Sequence, residues 1–189
     1  MNCEVEQIHQ VGEDMTVTER AYFATGCFWG AERRFWKLDG VTSTAVGYMG
    51  GTRPNPSYEQ VCTGTTNHAE TVEVQFDPTI ISYQRLLEEF WTMHDPTSLN
   101  KQGGDIGTQY RSAIFTTTQE QMIAAINSRE IYNDVLKREG FGEIVTEIIE
   151  AAPHPFWPAE EYHQRYLEKN PNGYDCHSST GIPFPTIAK

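Results

Sequence analysis

Strand-like and helix-like segments alternate along most of this 189-residue chain, and that order limits the folds it can adopt. Short apolar or alternating strand patterns occupy residues 20–24, 41–48, 70–76, 110–115 and 143–149. Helical patterns lie between and after them: a segment ending near residue 38, a turn at 58–62, a helix capped by Ser82, and helices over 118–137 and 159–169. No Gly-rich dinucleotide fingerprint accompanies the alternation. The order therefore predicts an α+β fold, a two-layer α/β sandwich with a ferredoxin-like core, over a doubly wound sheet.

The length of the chain suits one hydrophobic core better than two independent ones. We expect a single catalytic domain over residues 1–189, with its core at about 20–169. Residues 170–189 are rich in Pro, Gly and Ser and show no periodic pattern, which predicts a long irregular C-terminal tail.

The formal net charge of -12 disfavours partners that select for clustered Lys and Arg. We therefore expect no binding to nucleic acid and none to an anionic membrane surface. No stretch approaches the roughly 20 apolar residues that a membrane-spanning helix needs. The acidic opening lacks the basic and apolar regions of a signal peptide. These features predict a cytoplasmic protein, and we expect a monomer.

Four cysteines, Cys3, Cys27, Cys62 and Cys176, are too few and too scattered for a disulfide scaffold or a structural zinc site. The six histidines include no HExxH pair, and the glycine-rich stretch 102–112 lacks the pattern of a phosphate-binding loop. We expect no metal and no cofactor. The segment 161–163, which contains His163, is interpreted as the face of the final helix.

The pentad Gly26-Cys27-Phe28-Trp29-Gly30 lies at a predicted strand-to-helix turn. Backbone N–H groups at a helix N-terminus stabilise a thiolate and lower the pKa of the thiol, which makes Cys27 a candidate nucleophile. The alternative is a small buried cysteine packed beside two aromatic rings. Position alone leaves both interpretations open.

Two further groups of polar residues could support chemistry. In the first, Tyr58, Cys62 and His68 accompany Glu70 at the start of a strand. Burial against the aromatic pentad would raise the pKa of Glu70 and let it act as a general acid, whereas an exposed carboxylate would only be solvated. The second is the glycine-rich loop at 102–112, which contains Asp105 and Tyr110 and could approach a ligand.

The pentad resembles the signature of the A-type methionine sulfoxide reductases, the peptide-methionine (S)-S-oxide reductases. Further segments resemble that family in the same order: 54–58, 61–64, 68–70, 107–112, 162–164 and 166–167. The resemblance covers roughly residues 20–175. It implies an α+β sandwich in which the Cys27 thiolate attacks the sulfoxide, Phe28 and Trp29 receive the substrate methyl group, and Glu70 is the acid.

The resemblance also implies roles for the surrounding loops. Tyr58 and Tyr110 would hydrogen-bond the sulfoxide oxygen, and Asp105 would help to hold the substrate backbone or the catalytic loop. Two positions depart from the family's pattern. Asn67 replaces a frequent glycine and Gly104 a common asparagine, and these departures bear on the geometry of the two loops but not on the chemistry.

Attack by Cys27 on a sulfoxide would leave a sulfenic acid, which a second thiol must resolve. Cys176 is the best candidate because it lies in a Gly-containing tail. The resemblance implies that a Cys27–Cys176 disulfide is then reduced by thioredoxin. Oxidised methionine, free or in proteins, and thioredoxin are the expected partners.

Two other functions fit parts of the pattern. A cysteine hydrolase could use Cys27 with His68 or His154 as its base, and it would not need Cys176. A redox-sensing or peptide-binding domain could use the aromatic surface for recognition and the thiols as a switch.

Overall fold

The computed structural model describes residues 17–175 and 178–186. The strands in this part of the chain are β1 (Glu19–Thr25), β2 (Val41–Met49), β3 (Ala69–Phe76), β4 (Lys101–Gln102), β5 (Asp105–Ile106), β6 (Ser112–Thr116), β7 (Glu147–Glu150) and β8 (Trp157–Pro158). The helices are α1 (Phe28–Phe35), α2 (Tyr58–Cys62), α3 (Tyr83–Met93), α4 (Gln119–Arg138) and α5 (Tyr166–Lys169). A 3-10 helix covers Thr108–Tyr110.

Six strands form one mixed sheet in the order β7-β6-β1-β3-β2-β8. The pair β6–β7 is parallel, and the other neighbours are antiparallel. The remaining strands, β4 and β5, form a separate small hairpin. Together with the helices this sheet confirms the predicted α+β fold.

Alternation along β1 separates the two faces of the sheet. Ala21 and Phe23 join the large core cluster with residues of α1, α3 and α4, so these helices cover one face. Phe23 stacks on Phe35 with ring centroids 5.0 Å apart. Tyr22 and Ala24 belong to a smaller cluster on the other face, which partly buried residues of 149–156 pack against. Residues 21–24 form a continuous apolar run, and successive side chains of a strand point to opposite faces, so the run supplies both clusters.

The boundaries of two strands differ from the sequence prediction. Strand β7 begins at Glu147 instead of residue 143 because the backbone of the preceding residues bonds outside the sheet. The amide of Ile144 donates to Asn133 Oδ1, and the amide of Val145 donates to the carbonyl of Pro96. The predicted strand at 110–115 is shifted to 112–116, since Tyr110 lies in the 3-10 helix.

The predicted final helix over 159–169 is wrong for most of its length. Only α5 is helical, and turns occupy 161–165. Arg165 has a φ of +52°, which interrupts a right-handed helix. Its amide donates to the Glu32 carboxylate of α1, so the turn is fixed by a contact distant in sequence.

The tail after α5 is irregular in the part that the structure describes. Tyr132 of α4 donates its hydroxyl to the carbonyl of Ile182, at 2.7 Å, and its ring stacks on Phe184. The tail therefore packs against α4 at Ile182 and Phe184. Among the described residues, no helix is long and apolar enough to cross a membrane.

Candidate active site

One pocket of about 150 Å³ brings together residues that the sequence places far apart. Its lining consists of Cys27, Phe28, Trp29, Tyr58, Glu70, Asp105, Tyr110 and Tyr174. The first seven are the predicted site residues, and Tyr174 was not predicted. The remaining predicted residue, Cys176, lies outside the described residues, two positions after Tyr174.

Cys27 lies between the end of β1 and the first residue of α1, with 7% of its surface exposed. The turn before it depends on Gly26, whose φ is +97°. A Cβ at Gly26 would also lie 2.7 Å from Gln102 Cγ, so a glycine is needed for both reasons. The end of β1 and the start of α1 thus place the Cys27 thiol in the wall of the pocket.

Glu70 lies near the start of β3, an interior strand of the sheet, and is 2% exposed. Its Oε2 accepts a hydrogen bond from the backbone N–H of Phe28, at 3.0 Å. Burial raises the pKa of Glu70 to about 8; the Phe28 N–H opposes this shift and the negative charge of Asp105 adds to it. The interpretation of Glu70 as an exposed carboxylate is therefore wrong. A carboxyl group with this pKa is protonated at neutral pH and can donate a proton.

The turn before β3 accommodates one departure from the family's pattern. Asn67 adopts a φ of +56°, in the region that glycine enters freely and that asparagine tolerates better than most residues. Asparagine can therefore stand in for the glycine at this position. The other departure, Gly104, has open space around it.

Two tyrosines face the same pocket. Burial raises the pKa of Tyr58 above its usual range, and the Cys62 thiol beside it contributes. Burial also raises the pKa of Tyr110, with a further contribution from the negative charge of Glu70. Both phenols therefore stay protonated and can donate hydrogen bonds. Arg111 holds the 3-10 helix in place by donating to the Thr108 carbonyl at 3.1 Å.

Asp105 reaches the pocket from the β4–β5 hairpin. The side chain of Gln102 anchors this hairpin, because its amide makes two hydrogen bonds with the backbone of Asp95 at the end of α3. The hydroxyl of Tyr174 donates to Asp105 Oδ1 at 3.1 Å, which brings the beginning of the tail to the mouth of the pocket. Nothing in the local pattern around Tyr174 predicts this contact.

His163 packs against the aromatic residues of the pocket, and its position differs from the sequence prediction. His163 does not lie on a helix face; it lies in the turns before α5 and is 1% exposed. Its ring contacts those of Phe28 and Tyr58, with centroids 5.1 and 4.6 Å apart. Its Nδ1 accepts a hydrogen bond from Trp29 Nε1–H at 3.1 Å.

The two histidines considered as bases for a hydrolase are engaged elsewhere. His68 accepts at Nδ1 from the amide of Gly51 and lies 2.7 Å through Nε2 from the carbonyl of Arg53. His154 lines a separate pocket together with Tyr22 and Phe156. Neither lines the pocket that contains Cys27, which disfavours hydrolysis by these pairs.

Together the fold and the site define a class of protein: an α+β thiol enzyme with a cysteine at the start of a helix, a protonated buried carboxyl group and tyrosine hydroxyl donors around one pocket. The sequence model of the family described as "Peptide methionine sulfoxide reductase" matches residues 19–183. The chain belongs to this family and is an enzyme of that activity.

Relatives from several bacteria are similar over most of the chain. Peptide methionine sulfoxide reductase MsrA of Streptomyces griseus is 55% identical over 167 residues, which are 88% of this chain and 75% of that protein. The protein of the same name from Methylococcus capsulatus is 56% identical over 168 residues, 89% of this chain and 75% of the relative.

Solved structures agree with this assignment. Methionine sulfoxide reductase A of Corynebacterium diphtheriae superposes with a TM-score of 0.81 at 45% identity and covers 89% of this chain and 84% of that one. Mxr1 from Saccharomyces cerevisiae in its reduced form superposes with a TM-score of 0.77 at 36% identity, covering 88% of this chain and 94% of that one.

The burial of Glu70 predicts an unusual effect on stability. Its folded pKa of about 8 lies above the ordinary value of 4.5, so ionisation opposes folding. The free energy of unfolding should therefore fall as the pH rises from about 4.5 to 8. Glu70→Gln removes the ionisable group, and we expect this variant to be more stable than the native chain at pH 9, with the difference shrinking toward pH 5.

Urea unfolding at pH 5 and pH 9 measures this effect. Glu59→Gln, which alters an exposed carboxylate of α2, is the matched control and should leave the pH dependence unchanged. Equal loss of stability between pH 5 and pH 9 in the native chain and in Glu70→Gln would show that Glu70 ionises normally.

Proposed function

We propose that this enzyme reduces the S epimer of methionine sulfoxide, free or in proteins, with Cys27 as the nucleophile and Glu70 as the proton donor. One observation carries the proposal: the Glu70 carboxyl group, buried and hydrogen-bonded to the Phe28 N–H, lines the same pocket as Cys27. A sulfoxide sulfur becomes electrophilic when its oxygen accepts a proton, so the two groups are needed at one place.

The oxygen-transfer step follows from this arrangement. Because Glu70 Oε2 accepts the Phe28 N–H, Oε1 carries the transferable proton. The Cys27 thiolate forms a bond to the substrate sulfur while Glu70 protonates the oxygen. Transfer of that hydroxyl to the Cys27 sulfur breaks the substrate S–O bond and also the newly formed bond between the two sulfurs, and Glu70 is left ionised. The products are methionine and a Cys27 sulfenic acid, so the substrate is reduced by two electrons and the thiol is oxidised by two.

The walls of the pocket explain recognition of the substrate and of its chirality. The Tyr58 and Tyr110 hydroxyls remain protonated and would donate to the developing negative charge on the sulfoxide oxygen. Phe28 and Trp29 offer an apolar wall for the methyl group. The sulfoxide oxygen would face the two tyrosines, and the methyl group would face Phe28 and Trp29. With these two substituents fixed, only one epimer can direct the rest of the methionine out of the pocket past Asp105.

Resolution of the sulfenic acid is assigned to Cys176. The residues before it are held near the site, since Tyr174 lines the pocket and Asp175 pairs with Arg33 of α1. Arg33 lies roughly 9 Å along the helix from Cys27, at 1.5 Å per residue. The Cys176 thiol would attack the Cys27 sulfenic acid and form a disulfide with release of water.

Thioredoxin is the proposed reductant of that disulfide. Mxr1 of Saccharomyces cerevisiae, which resembles this chain in its reduced form, is also known in complex with Trx2. A dithiol of that kind would attack the Cys27–Cys176 disulfide and become a disulfide itself. Cys27 and Cys176 would then both be thiols again.

Replacement of the nucleophile should abolish catalysis. We expect Cys27→Ser to lose measurable reduction of an S-configured methyl sulfoxide with dithiothreitol, because a serine hydroxyl is not ionised near neutral pH. Cys62→Ser, a change of an exposed thiol, is the matched control and should keep native turnover. The native enzyme should leave the R epimer unchanged. Turnover by Cys27→Ser, or equal reduction of both epimers, would contradict the proposal.

Loss of the resolving thiol should separate the first turnover from the cycle. We expect Cys176→Ser to reduce one equivalent of sulfoxide and then to stop when thioredoxin is the reductant, because Cys27 remains a sulfenic acid. Mass spectrometry of the native enzyme after one equivalent without reductant should find Cys27 joined to Cys176. A bond between Cys27 and Cys62, or a persistent sulfenic acid with Cys176 reduced, would assign resolution to another group.

A further inference from the structure

The indole of Trp29 is held from two directions. Its ring stacks on Tyr166 of α5, with centroids 3.8 Å apart and planes 16° from parallel. Its Nε1–H donates to His163 Nδ1 at 3.1 Å. Stacking alone leaves a ring able to slide and rotate in its plane, whereas the hydrogen bond at its edge fixes that rotation.

The hydrogen bond determines the tautomer of His163. An indole N–H can only donate, so Nδ1 must offer its lone pair and the ring proton must lie on Nε2. Burial lowers the pKa of His163, and the negative charge of Glu160 opposes this shift in part. The neutral ring, which alone can accept at Nδ1, is therefore favoured.

Glu160 orients this tautomer from the other side. His163 Nε2 lies 4.0 Å from Glu160 Oε2 and has no hydrogen-bond partner in the described part of the chain. Burial would raise the pKa of Glu160, but hydrogen bonds from the Tyr58 amide and the Tyr48 hydroxyl outweigh it and lower the pKa. The ionised carboxylate attracts the Nε2–H and turns Nδ1 toward Trp29.

The backbone on either side of His163 is also fixed. Gln164 makes hydrogen bonds through its side chain with both the N–H and the carbonyl of Val46 in β2. The amide of Arg165 donates to Glu32 of α1, and its guanidinium lies 4.1 Å from the centre of the Trp36 ring. The segment is thus attached to the sheet and to α1, and these contacts fix the position of His163 next to Trp29.

We propose that His163 is a positioning residue for substrate binding, which holds the Trp29 indole in the orientation that forms the apolar wall of the pocket. His163 itself does not touch the reacting atoms. The inference rests on the proposed function, because it takes Trp29 as the wall against which the substrate methyl group packs.

Single-turnover kinetics test the effect on binding. We expect His163→Leu to raise the sulfoxide concentration for half-maximal rate about ten-fold, the effect of roughly one hydrogen bond, while the maximal rate changes less than about two-fold. His163→Asn places an amide oxygen where Nδ1 lies and should recover most of the loss. A fall in maximal rate at unchanged half-saturation would instead give His163 a part in the chemistry and overturn the proposal.

A double-mutant cycle shows whether the effect passes through Trp29. Trp29→Phe keeps an aromatic wall but lacks the indole N–H, so His163→Leu should cost less than about two-fold in that background. The same ten-fold loss in both backgrounds would mean that His163 acts independently of Trp29.

A measurement on the native enzyme does not depend on turnover. The chain has four tryptophans, and the indole N–H signal of Trp29 is the one lost in Trp29→Phe. We expect this signal, in nitrogen-15 spectra, to exchange slowly with solvent and to shift in His163→Leu. Fast exchange in the native enzyme would overturn the inference. A slow signal in an enzyme that does not reduce sulfoxides would instead overturn the proposed function and leave the Trp29–His163 contact intact.

Discussion

The hydrogen bond between the Glu70 carboxyl group and the Phe28 N–H joins an interior strand of the sheet to the first residue of α1. A carboxyl group sealed from water at this junction is costly to ionise, and the single amide donor only partly compensates. Retaining a proton relieves that cost. The contact therefore connects the sheet to the helix and holds Glu70 in the pocket that Cys27 lines, while burial keeps the carboxyl group protonated.

The rest of the pocket is assembled by polar contacts that reach across the sequence. Gln102 attaches the hairpin that carries Asp105 to the end of α3. Glu160, more than 100 residues beyond Tyr58, accepts a hydrogen bond from the Tyr58 amide and so attaches the segment before α5 to the start of α2. Buried polar groups need partners, so each of these contacts also restricts where the neighbouring loop can lie.

Much of the fold, and the position of Cys27 at a helix N-terminus, could be predicted because they depend on local patterns. The apolar run at residues 20–24 predicted a buried strand, and the turn at Gly26 predicted Cys27 at the start of a helix. The position of His163 could not be predicted, because its contact with Trp29 spans 134 positions and the left-handed Arg165 interrupts an otherwise helical pattern. The single-domain organisation, the monomeric state and the cytoplasmic location stay predictions from the sequence.

The protonation state of Glu70 tests most directly whether this residue can act as the proton donor. The enzyme labelled with carbon-13 at the glutamate carboxyl groups can be titrated by NMR, and the Glu70 signal is the one that disappears in Glu70→Gln. We expect a protonated carboxyl group at pH 7 that ionises near pH 8. A carboxylate that is already ionised at pH 7, with a midpoint near the ordinary value of 4.5, would contradict this expectation.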